Sequence, residues 1–468
     1  MSQKKKKRSA AGRTTSGRPT PGRTALPKSP WNVRAAEGLL WVFVIVTPFL
    51  VVARAHENYR FPKLLLFEVL AIASLVLLTF SLRRLKTLEW RPLLVPALVC
   101  APIPVVASLS YFWTDHPLHV ARGLIPLWVG AAALFGWSVA LGHQQKRRLL
   151  KGYVFVAMFA VVVVAVQTYR AYFVVEAFRA SKRLASAGAI GGVADAATYF
   201  AIACLTAQWL AWTSQGRERK LWIGGALLCL VGLGLTQTLT GLGALVLGSL
   251  VFGWHVLPRR RLVAAVAVAV ALGAILLIVS PAHQKRFERI GDAAREPGKF
   301  LDTVVNAGTT GRLDAWQAAF QMFKEHPLGG VGQGTFVAEF APVKRTLIED
   351  GVTFFKKHRP TQAHFDSAHN EFLEVAAELG LLGLLALTVT LVVLFRQLRR
   401  RWRHANKENV ANEVFLQASV VALFFLSTNY FPMHLAIIAF PYLLILSWIL
   451  EPERKADSTP EKNAEEPA

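Results

Sequence analysis

The chain has 468 residues, 53% of them hydrophobic, a mean hydropathy of +0.38 and a formal net charge of +24. That apolar share excludes an ordinary soluble domain, and most of the length is spent crossing lipid. The three cysteines, Cys100, Cys204 and Cys229, all fall inside apolar runs, which excludes a disulfide framework or a zinc site. The positive charge invites a nucleic-acid reading, but the basic residues stand in short clusters between apolar runs, the pattern that sets membrane topology, so no nucleic-acid partner is expected.

In chain order, residues 1–36 are assigned to a disordered, basic cytoplasmic tail. Lys4 to Arg8 precede a stretch rich in Ser, Thr, Gly and Pro, too polar to fold alone and suited to touching anionic lipid headgroups. The apolar run Leu39 to Ala53 ends in Ala53-Arg54-Ala55, a small-x-small pattern resembling a signal-peptidase site. The basic region before it is long for a signal peptide, so an uncleaved first span is expected. Apolar runs predict about twelve transmembrane helices, near 37–53, 63–82, 92–110, 121–141, 150–169, 195–214, 221–237, 241–257, 262–280, 379–395, 413–431 and 434–450. The fold class is therefore all-α, a polytopic integral membrane protein. Spans 1–9 lie in 37–280, a long loop in 281–378, spans 10–12 in 379–450, and a second tail in 451–468.

The basic clusters Arg83, Arg84, Lys86; Lys146, Arg147, Arg148; Arg217, Arg219, Lys220; Arg259 to Arg261; and Arg396 to Arg403 all fall in even-numbered connections. With the basic tail they place both termini in the cytoplasm and the long loop on the outer, in a bacterium periplasmic, face. Turns at Thr236 to Gly241 and Phe431 to His434 predict antiparallel neighbours, and the Gly- and Ala-rich stretch Ile223 to Gly248 permits close packing. Charges inside the spans are few, Glu68 being the clearest, which argues against an ion-coupled transporter.

Specific chemistry concentrates in the outer loops. The third carries Arg179, Lys182 and Arg183, which read either as interfacial snorkelling residues or as phosphate ligands. In the long loop, Leu313, Trp316, Phe320 and Phe323 recur at helical spacing, with Thr310 as the N-cap and Arg312 in the first turn. A helix start beside an arginine is a receptor for phosphate. His326-Pro327 and the glycines through Gly332 and Gly334 read as a helix stop, or as a nest of backbone N–H groups facing an anion. His369-Asn370 stands at the start of a further helix. There the positive helix end and nearby arginines favour a neutral imidazole, the form a general base needs. The spacing of His364, Asp366 and His369 fits no known metal site.

These segments, Thr309-Thr310-Gly311-Arg312 with Trp316, His326-Pro327 through Gly334, and His369-Asn370 before Glu378-Leu379-Gly380, resemble the signature region of the O-antigen ligase and polymerase superfamily, over about Thr309 to Leu394. The resemblance implies a metal-independent glycosyltransferase of the bacterial inner membrane that needs no cofactor. Its implied partners are a donor glycan on undecaprenyl diphosphate, a lipid A-core or other glycan acceptor, and membrane lipids. It implies Arg312 as a diphosphate ligand and His369 as the catalytic base. Arg183 matches a further family arginine, with Arg179, Lys182, Gly332, Gly334 and Asn370 as substrate contacts. One dominant outer loop leans toward an O-antigen ligase. A polymerase or a protein O-oligosaccharyltransferase shares the chemistry, and a membrane transporter is the reading from another class. The chain departs from the family pattern at Thr236 to Gly241, where relatives carry an arginine, and at Gly188 to Asp195, where relatives read Gly-x-x-Asn-Pro-Asn.

Overall fold

A computed structural model describes residues 30–52, 59–82, 91–168, 187–263, 312–351 and 365–452, with isolated positions between 284 and 295. Among them there is no strand, and the molecule is an all-α polytopic membrane protein. The helices are α1 (Trp31–Val46), α2 (Arg60–Leu82), α3 (Arg91–Cys100), α4 (Pro102–Leu109), α5 (Pro117–Ala140), α6 (His143–Thr168), α7 (Val193–Thr213), α8 (Gly216–Thr236), α9 (Leu239–Val256), α10 (Leu313–Glu325), α11 (Phe336–Glu349), α12 (Glu371–Arg403), α13 (Val410–Asn429) and α14 (Ala436–Ile449).

Among the described residues nine helices are long and apolar enough to cross a membrane. The pair α3 and α4 makes a tenth, bent by 40°, and α14 is a shorter apolar helix. The bend falls just before Pro102, which lacks an N–H and crowds the preceding turn. These helices occupy every predicted span except the ninth, most of which lies outside the described residues, as do residues 1–29, residues 453–468 and the loop bearing Arg179, Lys182 and Arg183, whereas residues 31–36, assigned to the tail, begin α1.

Two helices form the centre. Every residue of α14 is buried, against α2, α5, α6 and α13, as expected of a helix apolar all round. α7 is likewise mostly buried, against α6, α8, α9 and α13. At one end of the bundle the basic clusters do more than mark topology. Arg401 grips both oxygens of Glu413 at 2.9 and 2.8 Å, and Arg148 grips Glu37 at 2.9 and 2.7 Å. Lys146, fully buried, reaches the Ser447 carbonyl at 3.1 Å and Glu451 at 3.3 Å. These bonds tie α1 to α6, α12 to α13, and α6 to the end of α14.

α12 begins at Glu371 and runs 33 residues, so the helix expected to open at His369-Asn370 is continuous with the span predicted at 379–395. Asn370 caps it, its Oδ1 accepting from Phe372 N at 3.0 Å and Leu373 N at 3.1 Å. Glu371 and Glu374 favour its positive end, and Arg400, Arg401 and Arg403 its negative end. The helix breaks at Gly380 (φ 60°, ψ −152°). Residues 327–332 splint the break. Val331 N and Gly332 N donate to the freed carbonyls of Ala377 and Glu378 at 3.0 and 2.8 Å, while Leu381 N and Leu382 N donate to Pro327 O and Leu328 O at 2.8 and 3.1 Å. A broken helix is tolerated at membrane depth only when its backbone groups are paired inside the protein, and the His326-Pro327 to Gly334 stretch supplies that pairing.

Candidate active site

The site forms at the bundle end opposite the basic clusters. α12 presents Glu371, Glu374 and Glu378 at i, i+3 and i+7, one face of a helix, with Glu374 and Glu378 buried and Glu371 half-buried. Each accepts backbone N–H groups from a different loop. Glu371 takes Met433 N at 2.8 Å and the Ser427 hydroxyl at 3.0 Å. Glu374 takes Ala368 N at 2.9 Å and lies 3.6 Å from His434 Nδ1. Glu378 takes Gly334 N at 2.8 Å and Phe336 N at 3.0 Å. Such bonds are what make a buried carboxylate tolerable. Together they fix three loops around one point.

His369 stands at that point. The bond from Ala368 N to Glu374 and the Asn370 cap bracket it, and its backbone is left-handed (φ 53°), an uncommon state for a side chain larger than glycine. Aromatic rings surround the imidazole, with centroids at 4.8 Å for Phe431, 5.7 Å for Phe365 and 6.2 Å for Tyr430. Its Nδ1 is buried and makes no hydrogen bond among the described residues. Burial, and then the charges of Arg312 and Arg60, pull its pKa down to about 3. The neutral form read from the sequence follows, with burial rather than the helix end as the leading cause.

Arg312 lies at the N-cap position of α10, one residue outside the first turn where it was predicted, and donates to the carbonyl of Asn429. Asn370 Nδ2 donates to the neighbouring carbonyl, Thr428 O, at 3.1 Å. Arg312 and the His369-Asn370 pair therefore dock on the same end of α13, some 57 residues apart in sequence.

Three expected substrate contacts are engaged within the protein. The Gly332 amide donates to the Glu378 backbone carbonyl and the Gly334 amide to the Glu378 carboxylate. Asn370 spends both ends of its side chain on capping and docking, and so positions His369. Arg179, Lys182 and Arg183, like His364, lie outside the described residues.

Sequence reading missed a second layer. Arg60, at the start of α2, reaches Asp195 at 3.4 and 3.5 Å, and its guanidinium lies 5.4 Å from the centre of the Phe431 ring. Tyr430 donates to the same Asp195. Lys63, one turn beyond Arg60, donates to the carbonyls of Ala189 and Ile190 at 2.6 and 2.8 Å. A signal existed: Arg60 and Lys63 open a span at its predicted outward end, where membrane topology calls for no positive charge. Among the described residues no group of three His, Cys, Asp or Glu side chains could hold a metal ion.

Because the unfolded chain binds a proton on His369 near pH 6.5 and the folded one only near 3, the unfolded state holds more protons between those values. Stability from this group is present above about pH 6.5 and is lost as pH falls toward 3. His369→Gln is therefore expected to lose less thermal stability than the wild type between about pH 7 and about pH 4, read by the unfolding midpoint.

Residues 224–388 match the family described as O-Antigen ligase. A stretch of 93 residues is 40% identical to the exopolysaccharide production protein ExoQ of Rhizobium meliloti (strain 1021), covering 19% of this chain and 20% of that protein. The chain thus matches only about a fifth of that relative's length. The family match takes in Arg312, Glu378, Gly380 and the His369-Asn370 pair, whereas Arg60, Lys63, Asp195 and Tyr430 lie outside it. The part of the chain that resembles the O-antigen ligase family is thus residues 224–388, about a third of its length.

Proposed function

We propose that the protein is a glycosyltransferase that moves a glycan from undecaprenyl diphosphate to a sugar hydroxyl, and that within this class it is an O-antigen ligase acting on a lipid A-core acceptor. The observation that carries the reading is the convergence of two guanidinium groups, Arg312 and Arg60, on a neutral imidazole whose Nδ1 is buried without a partner among the described residues. The orientation rests on α12. It leaves the His369 loop and ends at Arg400, Arg401 and Arg403, about 50 Å away. By the positive-inside rule this supports His369 at the periplasmic face of the inner membrane, with both termini in the cytoplasm.

The residues supply what the reaction lacks. A glycosyl diphosphate is already activated, so the protein must stabilise the charge of the departing diphosphate and remove a proton from the attacking hydroxyl. Arg312 meets the diphosphate, while Arg60, held by Asp195, adds its charge to the field at His369. The arriving negative charge offsets the field that those arginines impose on His369, so the imidazole gains basicity as the donor binds. The hydroxyl proton passes to Nδ1, the acceptor oxygen bonds to the anomeric carbon, and the diphosphate leaves with the bonding electrons. Attack opposite the leaving group inverts the anomeric centre. Arg179, Lys182 and Arg183 would add positive charge at the same face.

His369→Ala is expected to lower transfer by about 10²–10⁴-fold with insertion intact, measured with purified protein and a lipid-linked donor. Full transfer by that variant would remove the base assignment. Activity is expected to persist in EDTA, and a loss restored by a divalent ion would reverse the metal-independent reading. The 40% identity to an exopolysaccharide production protein favours a second reading, a polymerase extending lipid-linked repeats. Deletion in the native host separates the two. Long chains left on the lipid carrier indicate a ligase, and single repeats on the acceptor indicate a polymerase.

A further inference from the structure

A cavity of about 200 Å³ opens beside the site, between the start of α2, the 365–370 loop and the start of α14. Phe431 joins it to the catalytic pair, because the ring lines the cavity and also contacts His369 at 4.8 Å. Its walls are of two kinds. Leu64, Ile437 and the Phe431 ring are apolar, while Asp195, Asp366, Ser367 and His434 bring carboxylates, a hydroxyl and an imidazole.

Three kinds of occupant can be weighed on that chemistry. A diphosphate would face two carboxylates, and the cations in the wall are already engaged, Lys63 by two carbonyls and Arg60 by Asp195. An isoprenoid or acyl chain would strip water from Asp366, Ser367 and His434 and return no hydrogen bond. A neutral sugar ring meets both requirements. Its C–H faces lie against apolar and aromatic surface, and its hydroxyls donate to carboxylates and exchange bonds with Ser367 and His434.

We infer that this cavity binds one neutral sugar ring, the unit of the acceptor that carries the attacking hydroxyl, with Asp366 and His434 reading its other hydroxyls. The inference rests on the glycosyl-transfer reading and adds to it where the acceptor sits. The diphosphate remains on the Arg312 side of His369, and the sugar lies on the Phe431 side. A site built to hydrogen-bond hydroxyl groups rejects analogues that lack them, so the cavity sets acceptor choice.

The test uses the full-length protein in detergent micelles and a panel of free neutral hexoses and N-acetylhexosamines, observed by saturation-transfer NMR. At least one of them is expected to receive saturation from the wild type. The signal should fall about fivefold or more in Asp366→Asn and in His434→Gln, each a conservative change at an exposed position, and should survive added inorganic pyrophosphate. Absence of saturation across the panel, equal signals in both variants, or displacement by pyrophosphate would each overturn the assignment. Glycan transfer by His369→Ala is measured separately, so failure of the sugar site is distinguishable from failure of the transferase reading.

Discussion

Arg312→Ala is expected to lower glycan transfer about 10³-fold, with Arg312→Lys recovering only part of the loss. The reason is where the guanidinium stands. It is anchored on the Asn429 carbonyl at the end of α13, and its charge reaches His369. Preorganised cationic donors aimed at a leaving group act before any solvent rearranges, and removal of one such donor typically costs 10²–10³ in rate, about 3–4 kcal/mol. Lysine restores the charge but not the planar fork that binds phosphate oxygens in pairs. Because α10 packs on α12 through Ala315, Ala318, Ala319 and Met322, the substitution leaves the fold in place. Rates with a lipid-linked donor, together with the oligomeric profile of the purified variant, check both statements. Unchanged transfer would take Arg312 out of the site.

The second large effect concerns the splint. Gly330→Ala is expected to destabilise the protein by at least about 4 kcal/mol, or to prevent its recovery in folded form. Gly330 has φ 67°, and a Cβ there would fall 2.2 Å from the Glu378 carbonyl carbon and 2.4 Å from Leu379 N. Gly380, across the break, has φ 60°, and a Cβ there would meet the Leu328 carbonyl carbon at 2.5 Å. In both cases the clash is with backbone, so no rotamer relieves it. Separation of the two strands of chain would also break the four bonds that pair Pro327 to Gly332 with the open turn of α12. Gly351 is the control. Its φ of 73° is just as unfavourable for alanine, yet nothing lies within 4 Å of the added carbon, so only the backbone cost of about 1–2 kcal/mol applies. Thermal unfolding of the two variants in one detergent decides the matter. Equal losses would mean that the splint carries no special weight.

The contrast between what was readable and what was not follows from the range of the forces involved. Spans are local, since a run of about 20 apolar residues must cross the bilayer whatever its neighbours do. For that reason the described helices fall on the predicted spans, except α10 and α11, which lie in the long loop. The start of α12 was readable at His369-Asn370, but the role of Glu371, Glu374 and Glu378 was not, because it depends on their partners. Those partners, Met433, Ala368, Gly334 and Phe336, come from three separate loops. The i, i+3, i+7 spacing of the acids was the available clue. The glycine run offered two local explanations, a stop and a nest. Its use as a splint requires Gly380, which lies 50 residues away from Gly330. Arg312 and His369 could be singled out because each sits in a local motif. Arg60 and Asp195 meet across 135 residues, a pairing that a single sequence does not encode in any pattern.

The splint and the acids also explain how the site keeps its geometry at the lipid boundary. Loops at membrane depth need every backbone group paired, and here α12 supplies the acceptors for all three loops that surround His369. The imidazole is thereby held in a left-handed backbone state and beside aromatic rings, where burial and then the nearby charges set its basicity.

That dependence gives the most direct test of the whole account. The protein is labelled with ¹⁵N-histidine, the His369 signal is assigned by comparison with His369→Gln, and its titration is followed with and without undecaprenyl diphosphate. The account predicts a pKa near 3 in the free protein, a rise of at least about one unit when the lipid diphosphate binds, and a rise in Arg312→Ala without any lipid. A His369 that titrates near 6.5 and responds to neither change would contradict the shared site on which the proposed reaction depends.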